Sequence, residues 1–208
     1  HPYLHKESTV RTVMDMLRSV AEFDEDVAKD ITVTTDCYIM GYSQGGWATM
    51  ALLYALENEY SSEFTVKAAS CGAGPYDLAH FNVEILKMTE YTMPVYLGYI
   101  ANAYTTYGLY TNPLTDMFNE PFAGRIPGLY DGKHDAGQIN GQLTPNISGL
   151  FTAEYLAGAN TDPKYTGIRS ALNANGVNGW DSEIPILLLH GTADTQVMPL
   201  LSESMYNR

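Results

Sequence analysis

The stretch that most restricts how this chain can fold is Gly41-Tyr42-Ser43-Gln44-Gly45-Gly46. It lies between an apolar, β-rich run, Cys37-Tyr38-Ile39-Met40, and a long apolar run from Trp47 to Leu56 that reads as helix. A strand that ends, a serine at the reversal and a helix that begins at once are the parts of the G-x-S-x-G nucleophile elbow. Gly41 and Gly45 are expected to omit side chains that would collide at so tight a turn, and Gly46 to let the new helix approach the strand. The Gln44 N–H would then point at the helix N-terminus, where developing negative charge is favoured. Ser43 is therefore the candidate nucleophile, and the Gln44 N–H a candidate oxyanion donor. A bare G-x-S-x-G arises by chance in roughly one chain of this length in fifteen, so its weight comes from the strand before it and the helix after it.

A second group fits the same chemistry. Ile184-Pro185-Ile186-Leu187-Leu188-Leu189-His190 is a short apolar run of the kind found in central parallel strands, and it enters Gly191-Thr192-Ala193-Asp194-Thr195-Gln196-Val197-Met198-Pro199. An acid on a tight loop at the carboxyl end of a strand is where a serine hydrolase places the carboxylate that orients its histidine. Asp194 fits that role. In a doubly wound sheet Ser43 and Asp194 would stand at the same carboxyl edge.

Around these two motifs the chain reads as α/β. The opening segment from His1 to Lys6 is polar. Apolar residues at Val10, Val13, Met14, Leu17, Val20 and Ala21 predict an amphipathic helix to about Lys29. Thr32 to Tyr42 reads as a buried strand, Gln44 to about Tyr60 as a buried helix, and Thr65 to Cys71 as a second strand parallel to the first. The alternation then stops. Between Pro75 and Glu183 helical patches at Leu78 to Met88, Val95 to Tyr107 and Leu150 to Leu156 are broken by Gly, Pro and Asn, and Pro121 to Gln142 reads as an ordered loop or lid edge. Tyrosines such as Tyr96, Tyr99, Tyr104, Tyr107 and Tyr110 crowd this region. Most are expected to pack, and an amphipathic aromatic set also suits the lining of an apolar acyl pocket. Leu200 to Tyr206 opens a further helix. The expected organisation is a hydrolase core over residues 1–74 with the elbow, a mainly helical cap or lid insertion over 75–183, and a return to the core with the acid loop over 184–208.

Composition excludes several classes. Eleven basic against twenty-four acidic residues give a net charge of -13, which repels a phosphate backbone, so nucleic acid is not an expected partner. No apolar run approaches a membrane span. Two cysteines make no disulfide framework and have no metal-ligand spacing; Cys37 and Cys71 are expected to be free, buried thiols, and no metal or organic cofactor is implied. The sequon Asn146-Ile147-Ser148 is too common a pattern to carry weight.

With these residues in view, GYSQGG followed by LLLHGTADTQVMP resembles the α/β-hydrolase superfamily, in which nucleophile, acid and histidine follow in that order. Within it, HPYLHKES, GPYDL and PVYLGYIANAYTTYG resemble the secretory lipase and esterase-like group, whose members carry a helical cap. The resemblance implies Ser43 as nucleophile, the Gln44 N–H as one oxyanion donor, Asp194 as triad acid, a small-molecule ester as substrate, and a secreted or cell-envelope location. It also implies a histidine after the acid, and no histidine follows Asp194 here. His190, His134, His80, His1 and His5 all read as structural or surface residues. Only three core strands are visible, so the chain reads as an internal portion of a longer hydrolase whose further segments supply the histidine and the second oxyanion donor. Two other readings stay open: a serine peptidase of the same fold, and a non-catalytic hydrolase-like binding module.

Overall fold

A computed structural model describes residues 2–27 and 33–208. His1, the expected end of the first helix at Lys29 and the expected strand start at Thr32 lie outside the described residues. The chain forms two compact units, one of Tyr3–Asp77 and Asn175–Arg208, the other of Leu78–Ala174 with Pro2.

The first unit is built on a parallel three-stranded sheet in the order β1-β2-β3. Its strands are β1 (Asp36–Tyr42), β2 (Thr65–Gly72) and β3 (Ile186–Leu189). Met40 pairs with Ser70 and Ser70 with Leu187, while Tyr42 pairs with Gly72 and Gly72 with Leu189. This is the α/β architecture with a parallel sheet that the sequence predicts. Helix α2 (Gln44–Asn58) packs along β1 and β2, because nearly every position from Gly46 to Leu56 is apolar; Trp47, Met50, Leu53 and Leu56 are fully buried. Helix α1 (Lys6–Val27) carries its apolar stripe onto α2, with Val10 and Met14 buried.

Chain returning at Asn175 ties this unit together. Its carbonyl accepts from the Trp47 indole N–H at 3.0 Å, its side-chain oxygen accepts from the Lys6 backbone N–H at 2.9 Å, and the Val177 N–H donates to the Tyr76 carbonyl at 2.7 Å. Trp180 donates to Glu57 and stands edge-on to Tyr54.

Two expectations are corrected here. The strand expected to be buried from Thr32 is described as strand only from Asp36, and β1 and β3 bury one face alone. Tyr38, Met40, Tyr42, Leu187 and Leu189 are between 53 % and 81 % exposed, since α2 covers only the other side of the sheet. Cys37 is half-buried rather than buried, because it opens β1 beside Asp36; Cys71 is fully buried. Both thiols are free, and the register pairs Cys37 with Val66 and Gly41 with Cys71, which keeps the two sulfurs apart.

The second unit is helical. The expected helices appear as α3 (Leu78–Lys87) and α4 (Pro94–Thr106). The segment read as a loop over Pro121 to Gln142 instead holds α5 (Phe122–Leu129) and α6 (Ala136–Gln142), the latter started by a reciprocal capping box between Asp135 and Gln138. The helix expected over Leu150 to Leu156 is broken into α7 (Ile147–Leu150) and α8 (Ala153–Gly158), because the Thr152 hydroxyl accepts from the Tyr155 N–H and caps a new start. Asn146 of the sequon caps α7. Helix α9 (Thr166–Asn175) closes the unit. Aromatic rings in contact fill its centre: Phe118 and Phe151 are tilted at 4.8 Å, Phe151 and Tyr155 tilted at 5.5 Å, and Tyr155 stands edge-on to Tyr165 at 5.0 Å.

Candidate active site

Ser43 sits at the single residue between β1 and α2, with φ 56 and ψ −122. That is left-handed backbone for a residue with a Cβ, a conformation that costs on the order of 1–3 kcal/mol and persists only where its surroundings fix it. The surroundings do so. The Ser43 N–H donates to the Gly72 carbonyl of β2 at 2.8 Å, and the Ser43 carbonyl accepts from the Trp47 N–H at 3.2 Å. The hydroxyl makes no capping bond to α2, although serine at this position commonly does. Gln44 opens α2, so its N–H is among the donors that the first helical turn leaves without an intrahelical partner.

The glycines divide unequally. A Cβ on Gly41 would overlap the Gly45 carbonyl and reach Thr49 Oγ1 at 2.6 Å, and a Cβ on Gly46 would overlap the Gly72 carbonyl oxygen. Gly41 thus makes room for the turn of α2, and Gly46 for the contact of α2 with β2. Gly45 departs from expectation: a Cβ there would meet no heavy atom within 4 Å among the described residues, so it would stand in open space.

Asp194 lies on the loop that follows β3. Its Oδ1 accepts the N–H groups of Gln196 at 2.8 Å and Val197 at 3.0 Å, and its own N–H donates to the Gly191 carbonyl. With Oδ1 committed to the loop, Oδ2 is the oxygen with capacity to accept from an imidazole. Ser43 and Asp194 both follow the carboxyl ends of parallel strands, with β2 between them.

The histidines are engaged elsewhere. His5 bonds Ser8 at 2.9 Å, His80 pairs with Glu84 at 3.5 Å, and His134 meets Asp131 at 2.9 Å. His190 supports the acid loop: Nε2 lies 2.7 Å from the Val197 carbonyl and 3.5 Å from Asp194 Oδ2, and Nδ1 lies 2.6 Å from Ser202 Oγ on α10 (Leu200–Tyr206). Sequence reading did not single out Val197 or Ser202, and no motif marks either of them. Among the described residues no cluster of His, Cys, Asp and Glu could hold a metal ion. No helix there is long and apolar enough to cross a membrane.

Nearby ionisable groups are pushed toward neutrality. Burial drives the Cys71 thiol up to about 12, and burial beside Cys71 raises the Tyr76 phenol well above its ordinary range. Neither can act as a base near neutral pH.

The second unit contains an apolar cavity of about 40 Å³. Phe81, Leu97, Tyr104, Phe118, Phe151 and Tyr155 are among its walls.

No protein-family profile and no curated protein matches this sequence. Solved structures do. The rice cell wall degrading esterase LipA from Xanthomonas oryzae superposes with a TM-score of 0.85 at 23% identity, over 100% of this chain and 55% of that one. A Legionella pneumophila protein designated a candidate hydrolase gives 0.85 at 26% identity, over 100% and 55%. Candida antarctica lipase A gives 0.64 at 15% identity, over 99% and 46%. The chain therefore spans about half the length of the solved proteins it resembles.

Proposed function

We propose that this chain, which has the α/β-hydrolase fold, carries the nucleophile and the acid of a serine hydrolase that cleaves carboxylic esters. The observation that carries the reading is Ser43, held at φ 56 on the turn between a parallel strand and a buried helix, with a hydroxyl that does not cap that helix. Structural neighbours that are esterases and lipases support the same class.

In the mechanism we propose, an imidazole takes the Ser43 Oγ proton as Oγ attacks the ester carbonyl, and the Gln44 N–H is one of the donors to the oxyanion. The imidazolium then protonates the departing alcohol. Water, deprotonated by the same imidazole, hydrolyses the acyl-enzyme and frees Ser43. Asp194 Oδ2 accepts from the imidazole and fixes its tautomer. The imidazole belongs to polypeptide outside residues 1–208, as does the second oxyanion donor. In this reading the helical unit acts as the cap, and its tyrosine-rich composition favours carboxylic esters of small or medium acyl groups, with sugar-decorated or aromatic esters also admitted. A secreted or cell-envelope location goes with the proposal and is tested by cell fractionation.

Treatment of the natural full-length protein with a fluorophosphonate, followed by peptide mapping, tests this reading. An adduct on Ser43 is expected. Labelling without hydrolysis of acyl esters, but with cleavage of aminoacyl-proline amides, would instead identify a peptidase, and no labelling would identify a binding module.

A further inference from the structure

The contacts of His190 reach further than its place at the end of β3 requires. Its side chain is only 7% exposed. A carbonyl can only accept, so the 2.7 Å contact with Val197 means that Nε2 carries a proton, while Nδ1 lies 2.6 Å from the Ser202 hydroxyl, which can donate to it or accept from it. Ser202 is itself buried on α10. The imidazole is thereby held from the acid loop through Val197 and from α10 through Ser202.

The other end of the connection is the acid. Val197 receives the His190 N–H on its carbonyl and gives its own N–H to Asp194 Oδ1 at 3.0 Å. One residue thus links the imidazole to the carboxylate. The ring edge also lies 3.5 Å from Asp194 Oδ2, too long for a hydrogen bond but close enough to limit the rotation of the carboxylate. Asp194 sits on an irregular loop of nine residues, Gly191 to Pro199, with no strand or helix to hold it. A carboxylate that must present one oxygen to an imidazole needs such outside support.

We infer that His190 is a positioning residue, which holds the Val197 peptide and through it sets the direction in which Asp194 presents Oδ2. The inference rests on the reading of Asp194 as the acid of the triad. His190 takes no proton from substrate in this role and does not replace the missing histidine.

The experiment uses the natural full-length protein in five forms: wild type, His190→Leu, His190→Gln, Asp194→Asn and the double variant Asp194→Asn with His190→Leu. Hydrolysis of a p-nitrophenyl ester gives kcat and KM, and amide hydrogen exchange is followed at Gln196 and Val197. His190→Leu is expected to lower kcat on the order of tenfold or more with KM little changed, and to speed exchange at both amides. The glutamine variant, whose amide can donate to the Val197 carbonyl, is expected to recover most of both. In the Asp194→Asn background the leucine substitution should cost less than about threefold, because what it acts through has already been removed. Equal losses in both backgrounds would overturn the inference and leave His190 a general stabiliser. Unchanged exchange in His190→Leu would overturn it as well. If the wild type hydrolyses no ester but exchange responds as stated, the esterase reading fails and the hold of His190 on the acid loop stands.

Discussion

Two adjacent glycines of the elbow should respond to the same substitution with opposite sign. A Cβ on Gly46 would fall on the Gly72 carbonyl oxygen and stand 3.2 Å from its carbon and 3.3 Å from its nitrogen. All three atoms are backbone, so none can rotate aside. Relief requires α2 to lift from β2, and α2 is pinned there by Trp47 and Leu53, both with no exposure. Overpacking against rigid partners costs roughly 1–3 kcal/mol, and the upper part of that range applies here. Alanine returns up to about 1 kcal/mol through its helix propensity. Gly46→Ala should therefore be destabilised by about 1–2 kcal/mol. Gly45→Ala meets nothing within 4 Å and should gain up to about 1 kcal/mol. The separation of about 2–3 kcal/mol corresponds to roughly 5–10 °C in melting temperature for a protein of this size. Thermal unfolding followed by circular dichroism measures it. The Gly72 carbonyl is also the acceptor for the Ser43 N–H at 2.8 Å, so Gly46→Ala should in addition slow labelling of Ser43 by a fluorophosphonate. Two variants that melt within about 2 °C of one another would refute the close α2–β2 contact as the reason for glycine at position 46.

Other outcomes follow from the same geometry. Ser43→Gly should abolish ester hydrolysis and raise stability by about 1 kcal/mol, because glycine adopts φ 56 without strain; a less stable variant would argue against strain at the elbow. Cys71, whose thiol is raised from 9.0 to about 12, favours the folded state below pH 9, and that contribution is lost as pH rises toward 12. Between pH 8 and pH 10 the wild type should therefore lose about 1 kcal/mol more stability than Cys71→Ala, as read from urea midpoints. Trp47→Phe removes the indole donor from the buried Asn175 carbonyl and should cost about 2 kcal/mol, measured in the same way.

What the sequence disclosed, and what it hid, divide along physical lines. The elbow was legible because tight backbone approach leaves a mark in residue type: only glycine fits at positions 41 and 46, and the change from β-rich to helical periodicity brackets Ser43. The pattern is blind to direction, so it assigned a steric reason to Gly45 that the structure does not contain. Helices α5 and α6 were hidden because Gly, Pro and Asn outweighed the local capping box between Asp135 and Gln138. Helix α9 did leave a sign, with Ile168, Ala171 and Leu172 at helical spacing, but the segment is short and mostly polar. The position of Asp194 on a loop after an apolar strand could be read from the sequence. The hold on its loop could not, since Val197, Ser202 and His190 meet only through folding.

The bare face of the sheet also follows from residue order. Met40, Ser70 and Leu187 lie in one row across the three strands, and Tyr42, Gly72 and Leu189 in the next, so the exposed apolar side chains form one continuous surface. Covering five such side chains at 25 cal/mol per Å² is worth on the order of 10 kcal/mol before ordering costs. Parallel sheets occur almost solely with both faces covered. Both outer strand edges are unpaired as well among the described residues. We therefore propose that further segments of the same hydrolase lie on this face, and the paired substitution Met40→Lys with Leu187→Lys in the natural full-length protein separates that reading from an open surface. Under a cover, two lysines in one row bury unpaired like charges and should cost more than about 4 kcal/mol. On an open face they would relieve an apolar patch and leave the melting temperature unchanged or higher. A self-associated pair of chains would give a third result, dissociation to monomers in size-exclusion chromatography with a smaller thermal loss. An unchanged melting temperature in a monomeric protein would refute the proposal.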